Sequence, residues 1–363
     1  MIGLAGLHVG LVGPLPPPAG GMANQTRQLA ELLRTAQANV SMVQSNAPYR
    51  PAWLGRIPVV RALVRLLPYL VALWRAAGRS DVLHVMANSG WSWHLFAAPA
   101  IWVARLRHVP VVVNYRGGEA ADFLARSQRV VGWSMRHIAR LIVPSGFLQE
   151  VFGRHGMAAE VVPNIVDLQR FCPSDRPSQS TPHLLVARNL EPIYDNATAL
   201  RAFAIVQQHH PAARLTIAGT GAQRSALESL AHTLGVAGHV HFAGRLERDE
   251  MAALLRVCQV ALNPSRVDNM PNSVLEALAS GVPVISTDVG GIAYVVQDGV
   301  TALLVPPQNP AAMAAAVLRV LTDRALAQRL AANGLQEARR YTWERVGPRL
   351  AEVYRAALAV RAG

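Results

Sequence analysis

The sequence predicts an α/β protein built from two Rossmann-like, doubly wound parallel-sheet domains. Three observations predict it. Short apolar runs alternate with longer amphipathic stretches along almost the whole chain. The alternation breaks once, at a Pro/Ser/Asp-rich segment, and then restarts. The 363 residues are too many for one ordinary domain and suit two of about 150–200 each.

In the first half, strand candidates occupy residues 8–13, 40–45, 81–86, 109–115, 140–145 and 159–164, with helical stretches between them. Strands joined through helices imply a parallel sheet. The Gly-rich PPPAGG (16–21) opens a first helix that continues through 22–36. The segment CPSDRPSQSTPH (172–183) is the best linker candidate. Strand candidates resume at 183–187, 214–219, 239–244, 260–265, 282–287 and 301–306, and the tail from Asn309 to Arg361 reads as helical throughout. The expected organisation is a first domain at 1–165, a second at 166–340, and a closing helix at 341–363 that packs back on the first. Ligands are expected in a cleft between the two domains.

Composition narrows the function classes. Apolar residues make up 51% and charged residues only 16%, enough for two cores and too little charge for a disordered chain. All 35 cationic side chains are Arg, which excludes a P-loop lysine and a Schiff-base lysine. A net charge of +13 draws the chain toward polyanions. The arginines are scattered, with no basic tail and no aromatics interleaved with a basic stripe, so nucleic acid is not an expected partner. Cys172 and Cys258 are far apart and have no neighbour at metal-ligand spacing; they read as free thiols in a reducing, cytoplasmic compartment. No basic region precedes the first apolar run, and prolines follow from Pro14 onward, so that run reads as a strand and not a signal peptide.

The strongest functional signal is SRVDNMPNSVLEALASGVPVIST (265–287). It reads as a strand end, a loop, a helix starting near Pro271 or Asn272, a stop at Gly281 and another strand. Asp268 lies in the loop and Glu276 in the early turns of the helix. Amides around Asn269 to Ser273 have no helical partner and can receive an anion or a sugar oxygen. A carboxylate accepts from two sugar hydroxyls at once, so two acids beside such a terminus suit carbohydrate recognition. The competing reading is a capped core helix with incidental acids.

Here the chain resembles glycosyltransferase family 4. The spacing of Asp268 and Glu276, followed by EALASGVPVISTDVGGIAYVVQDGVTALLVPP (276–307), is similar to that family's signature. VVPNIVDLQRF (161–171), LTIAGTGAQRSALESLAHTLGVAGHVHFAGRL (215–246) and YTWERVGPRLAEVYRAAL (341–358) extend the resemblance, which is nearly continuous from Val161 and weaker before it. It implies a GT-B fold and retaining transfer from a nucleotide-diphosphate sugar. It implies that Glu276 binds the ribose hydroxyls, Asp268 the hydroxyls of the transferred sugar, and Asn269, Met270 and Pro271 the sugar and phosphates. Arg188 would neutralise the departing diphosphate. Gly20 and Gly21 would bring amides to that diphosphate, and Gly219 would join the donor site. No cofactor is required and no metal is implied. The mechanism needs no carboxylate nucleophile, because the departing phosphate oxygen takes the acceptor's proton.

Three departures stand out. The first acid is Asp268 where the family usually has Glu. The lysine that normally follows the arginine is absent, with Tyr194 or Asp195 near its place, so the clamp would use Arg188 with Arg266 or the Tyr194 hydroxyl. Arg116, before Gly117 and Gly118, stands where a histidine often faces the reaction centre; sugar or phosphate binding is the reading adopted, against a salt-bridged surface arginine. His84 reads as a packing or supporting residue. Trp91 and Trp93 are candidates for stacking on an acceptor sugar, with core packing expected for at least one.

The segment 57–79 is apolar with spaced arginines and a closing Trp74. Its longest uncharged run, Leu66 to Trp74, is far short of the ~20 residues a bilayer span needs. It reads either as interfacial contact with anionic membrane or as a helix packed on the sheet with its arginines in water. The expected activity is transfer of a hexose from UDP- or GDP-sugar to a glycan or lipid-linked acceptor. The alternatives are a sugar-nucleotide epimerase of the same fold, or a degenerate binding scaffold.

Overall fold

A computed structural model of the protein describes residues 3–17, 20–48, 58–174 and 181–362, with the side chains of 58–64 and 360–362 left out. Pro18 and Ala19 of the predicted helix opening, Ile57, the Arg61 side chain and residues 175–180 of the predicted linker lie outside the described residues. The chain forms two compact units, residues 1–164 with 343–363 and residues 165–342.

The first unit contains β1 (His8–Gly13), β2 (Asn39–Gln44), β3 (Val82–Ala87), β4 (Val111–Tyr115), β5 (Arg140–Val143) and β6 (Glu160–Val161), with helices α1 (Gly21–Thr35), α2 (Pro58–Ala77), α3 (Ala98–Leu106), α4 (Ala120–Met135) and α5 (Gly146–Arg154). The second contains β7 (His183–Ala187), β8 (Arg214–Ala218), β9 (Val240–Gly244), β10 (Val260–Asn263), β11 (Val284–Thr287) and β12 (Leu303–Val305). Its helices are α6 (Asn196–His209), α7 (Arg224–Thr233), α8 (Arg248–Leu255), α9 (Asn272–Ala279), α10 (Pro310–Thr322) and α11 (Arg324–Ala338). The last helix, α12 (Trp343–Ala362), belongs to the first unit.

Both sheets are parallel, in the orders β2-β1-β3-β4-β5-β6 and β12-β11-β10-β7-β8-β9. Parallel strands covered by helices on both faces bury every residue, and β3 and β4 are buried at each position. That is why they read as continuous apolar runs. Strand order reverses between β1 and β3 in one sheet and between β7 and β10 in the other. The carboxyl ends of strands at such a switch point form the crevice where doubly wound sheets bind ligands.

The linker expectation needs correction. Val166 and Phe171 are already buried in the second unit's core, so the chain has changed units before residue 172. The Pro/Ser/Asp composition of 172–183 marks a polar connection into β7, not the boundary.

Helix α2 presents Tyr69, Leu73, Ala76 and Ala77 to the core. Its outer face carries Leu67, Val71 and Trp74, all exposed. The outward face is therefore apolar as well as basic. Among the described residues no helix is long and apolar enough to cross a membrane.

Candidate active site

The switch point of the second sheet releases Arg188 from the end of β7 and the segment from Asn263 to Asp268 from the end of β10. The Arg188 guanidinium is gripped from three sides. Its Nε donates to Asn263 Oδ1 at 2.9 Å, its Nη2 pairs with the Asp268 carboxylate, and its Cζ lies 5.1 Å from the centre of the Tyr194 ring. Burial pushes the Arg188 pKa down to about 10, opposed by Tyr194 and Glu276; it stays cationic at neutral pH.

Asn263 is itself held. Its Oδ1 accepts from Ser265 Oγ at 2.7 Å, and its Nδ2 donates to Ser286 Oγ at 2.9 Å. Thr287 Oγ1 donates to the Ser265 carbonyl at 2.5 Å. All four side chains are buried. Sequence reading missed this support. The available signal was a pair of polar residues ending each of two apolar strand runs, VALNPS and VPVIST.

The Asp268 loop is set by its carbonyl, which accepts from the Gly291 amide at 2.8 Å. Gly290 has φ +54°, and a Cβ there would collide with the Asp268 carbonyl oxygen. Gly290→Ala is therefore expected to displace the loop, costing about 1–3 kcal/mol in stability and lowering turnover, as thermal unfolding and donor hydrolysis would register. Pro271 caps α9 in an extended conformation, and Gly281, at φ +66°, ends it.

Glu276, in the second turn of α9, lines a pocket with Asn263 and Ser273 whose walls are apolar, including Leu185 and Met251. Burial pushes its carboxyl up to about 7, while Arg248 and Arg188 pull it down. Arg188, Asp268, Glu276 and Tyr194 thus all meet at, or border, one strand-end corner.

Other predicted donor residues sit differently. The Met270 side chain is packed in the core beside Val274, so only its backbone can serve a ligand; Asn269 and Pro271 are buried too. The Gly219 amide already donates to the Gly244 carbonyl at 2.7 Å, and a Cβ at Gly219 would strike the Arg188 carbonyl. The absence of a side chain at Gly219 lets the Arg188 backbone in. Asp195 occupies the family lysine's neighbourhood as the left-handed cap of α6, accepting from Thr198 Oγ1 at 2.8 Å. Arg266 is exposed, and its amide donates to the Ile193 carbonyl at 2.8 Å, tying the Tyr194 turn to the Asp268 loop.

In the first unit, Gly20 and Gly21 open α1, with no atom within 4 Å of where their Cβ atoms would stand. Arg116 follows β4. Its Nε donates to Asn114 Oδ1 at 3.0 Å, and its Nη1 reaches the amide oxygens of Gln25 and Asn164. Burial pushes its pKa down to about 9. These bonds set a tautomer. Asn114 Oδ1 receives Arg116, so Asn114 Nδ2 must donate to His84 Nε2 at 3.0 Å. The proton of His84 then sits on Nδ1 and points at the Tyr354 hydroxyl, 2.8 Å away on α12. Burial and the Arg116 charge push the His84 pKa down to about 3, so it stays neutral. His84 acts on Arg116 through Asn114. Trp93 is fully buried, whereas Trp91 is 78% exposed.

Two doubly wound parallel sheets, the second with an arginine, two acids and a helix N-terminus at its switch point, place the protein in the GT-B class of glycosyltransferases. The chain matches the family models of glycosyl transferases group 1 over residues 174–337 and of glycosyltransferase family 4 over residues 19–170. Glycogen synthase of Mycobacterium tuberculosis is 32% identical over 293 residues, 77% of this chain and 69% of that protein. Phosphatidyl-myo-inositol mannosyltransferase of Mycobacterium leprae is 27% identical across 96% of both chains. Among solved structures, sucrose-phosphate synthase from Thermosynechococcus elongatus superposes with a TM-score of 0.79 at 22% identity, over 98% of this chain and all of that one. Anabaena HepE in complex with UDP-glucose gives 0.74 at 19% identity, over 95% and 98% of the two chains. The chain belongs to glycosyltransferase family 4, the group 1 glycosyl transferases, and is a glycosyltransferase.

Proposed function

We propose that the protein is a retaining hexosyltransferase. It moves a sugar from a UDP- or GDP-hexose to a glycan or lipid-linked acceptor, in assembly of surface polysaccharide or glycolipid at the cytoplasmic face of a membrane. The observation that carries the reading is the Arg188 guanidinium, fixed between Asn263, Asp268 and Tyr194 at the switch point. Solved relatives of the same fold in complex with UDP or UDP-glucose support the donor class.

In this reading Glu276 accepts from the ribose hydroxyls and Asp268 from the sugar. Asn269, Met270 and Pro271 offer backbone groups along it. Arg188, assisted by Arg266 or the Tyr194 hydroxyl, faces the diphosphate. In the first unit, Arg116 and the amides at Gly20 and Gly21 are the groups assigned to sugar and diphosphate. The bond from the anomeric carbon to the phosphate oxygen breaks and the acceptor oxygen bonds the same face. The acceptor's proton passes to the departing phosphate oxygen. Preorganised donors stabilise the charge that develops there. Arginines supply the countercharge, so turnover is expected to survive chelation with EDTA.

A panel of UDP- and GDP-hexoses tests the proposal. Slow release of free nucleotide, and an anomer unchanged in the product by NMR, are the expected results. A new sugar-nucleotide isomer without nucleotide release would instead mean an epimerase, and no turnover a scaffold. Asn114→Leu removes the bond that aims Arg116. It is expected to lower kcat about tenfold to a hundredfold, as steady-state kinetics would show.

A further inference from the structure

We infer that the first unit docks on an anionic lipid surface through one continuous band of aromatic, aliphatic and arginine side chains spanning α2, α3 and α4. The inference deepens the proposed function, since it rests on the reading that the acceptor is lipid-linked. It uses no residue assigned to the donor.

The net charge is partitioned. The first unit holds 20 arginines against 8 carboxylates, the second 15 against 14, so 12 of the 13 excess positive charges lie on the first. Between Glu31 and Glu119 the only acid is Asp81, against ten arginines. Helices α2 and α3 contain no carboxylate at all, and α4 contains only Asp122.

Exposed apolar side chains gather on the same three helices. Of the nine large ones exposed among the described residues, six lie there: Leu67, Val71 and Trp74 on α2, Leu106 on α3, and Val130 and Trp133 on α4. Direct contacts through Trp74 and Trp133 tie the three helices together. The Arg107 guanidinium sits 4.8 Å from the Trp74 ring centre, linking α2 to the end of α3. Arg105 lies 5.8 Å from the Trp102 ring and contacts His137 at 2.6 Å. The Trp102 and Trp133 ring centres lie 4.3 Å apart with the rings tilted by 44°, linking α3 to α4. Among the described residues no carboxylate pairs with Arg75, Arg129 or Arg136, so their charge is available to a partner.

This chemistry fits a membrane interface. Tryptophan rings settle at the headgroup level, arginine stems lie along apolar surface with their heads in the phosphate layer, and aliphatic side chains enter the acyl boundary. Anionic lipid attracts the surplus charge. Nucleic acid would use the arginines and rings but offers nothing to Leu67, Val71, Leu106 and Val130. A second copy of the chain would bring like charge against like.

The test is flotation of the full-length protein with vesicles of phosphatidylcholine alone and with roughly 30% phosphatidylglycerol added. The wild type is expected to float with the anionic vesicles and not with the neutral ones, and to be partly released by about 0.5 M salt. The double variant Leu106→Glu, Val130→Glu changes two exposed positions. It is expected to bind at least about tenfold more weakly, with unchanged nucleotide release from a soluble donor. Equal flotation of the variant, or no flotation of the wild type, overturns the inference. So does a variant-sensitive affinity for single-stranded DNA that exceeds the vesicle affinity, or a wild-type dimer that the variant converts to monomer. Lost flotation with intact donor turnover leaves the transferase reading standing. Lost donor turnover with intact flotation strikes that reading and spares the docking surface.

Discussion

Replacing Arg188 with Lys is expected to lower transfer by at least about a hundredfold, nearly as far as Ala. A guanidinium offers Nε to Asn263 and Nη2 to Asp268 while its central carbon lies over the Tyr194 ring. An ammonium is a single point charge on a flexible stem and cannot fill both positions in fixed orientation. The loss should appear in kcat, because the charge Arg188 answers develops as the diphosphate leaves. A defect confined to KM for the donor would remove the arginine from that role. Lys is the cleaner variant, since Ala would leave Asp268 with a nearly buried, uncompensated charge and add a folding defect.

Splitting the two acids is the second large effect. Glu276→Ala is expected to weaken nucleotide binding by about 2–3 kcal/mol, the scale of a lost charge-assisted hydrogen-bond pair. Asp268→Ala should keep nucleotide affinity and abolish transfer. Titration calorimetry with UDP and GDP decides, and equal loss of affinity in both variants would contradict the division of labour. The pH dependence carries a sign. Burial holds the Glu276 carboxyl at about 7 against an ordinary 4.5, and only the ionised form accepts from both ribose hydroxyls. Nucleotide affinity should therefore climb between about pH 6 and 8 in the wild type and stay flat in Glu276→Gln. For folding the direction is opposite. Between pH 4.5 and 7 the folded state binds more protons at Glu276 than the unfolded one, so the stability this group contributes is present below 4.5 and is lost as pH rises through 7. Ligand-free Glu276→Gln should melt higher than wild type at pH 8, with the gap closing toward pH 5.

What was legible in the sequence followed from burial geometry. The central strands β3 and β4 are legible because strands covered on both faces carry no polar alternation to blur them; the half-exposed edge strands β2 and β9 are legible from the turns and helices that flank them. Asp268 and Glu276 stood out because a loop, a helix start and a glycine stop punctuate their segment. The support around Arg188 was not legible, because Asn263, Ser265, Ser286 and Thr287 look locally like strand endings. Their bonds span 22 to 75 residues or join near neighbours that a pattern ignores. Arg116 is similar: its partners Gln25 and Asn164 are 91 and 48 residues away, so its orientation exists only in the folded chain. The burial of the Met270 side chain is likewise not legible, because a motif does not say which way a side chain turns from the backbone.

The last helix has a consequence for synthesis. Tyr354 on α12 is fully buried and meets His84 on β3, so the first unit lacks part of its interior until α12 is made. Residues 165–342 form one uninterrupted segment, and at its ends the Val166 amide donates to the Tyr341 carbonyl at 2.9 Å. On the ribosome this later-made insert is complete before the earlier-made half can close, reversing the usual N-to-C order of domain maturation. A stop codon just after Thr342 would accordingly spare the half it follows and cripple the half translated first.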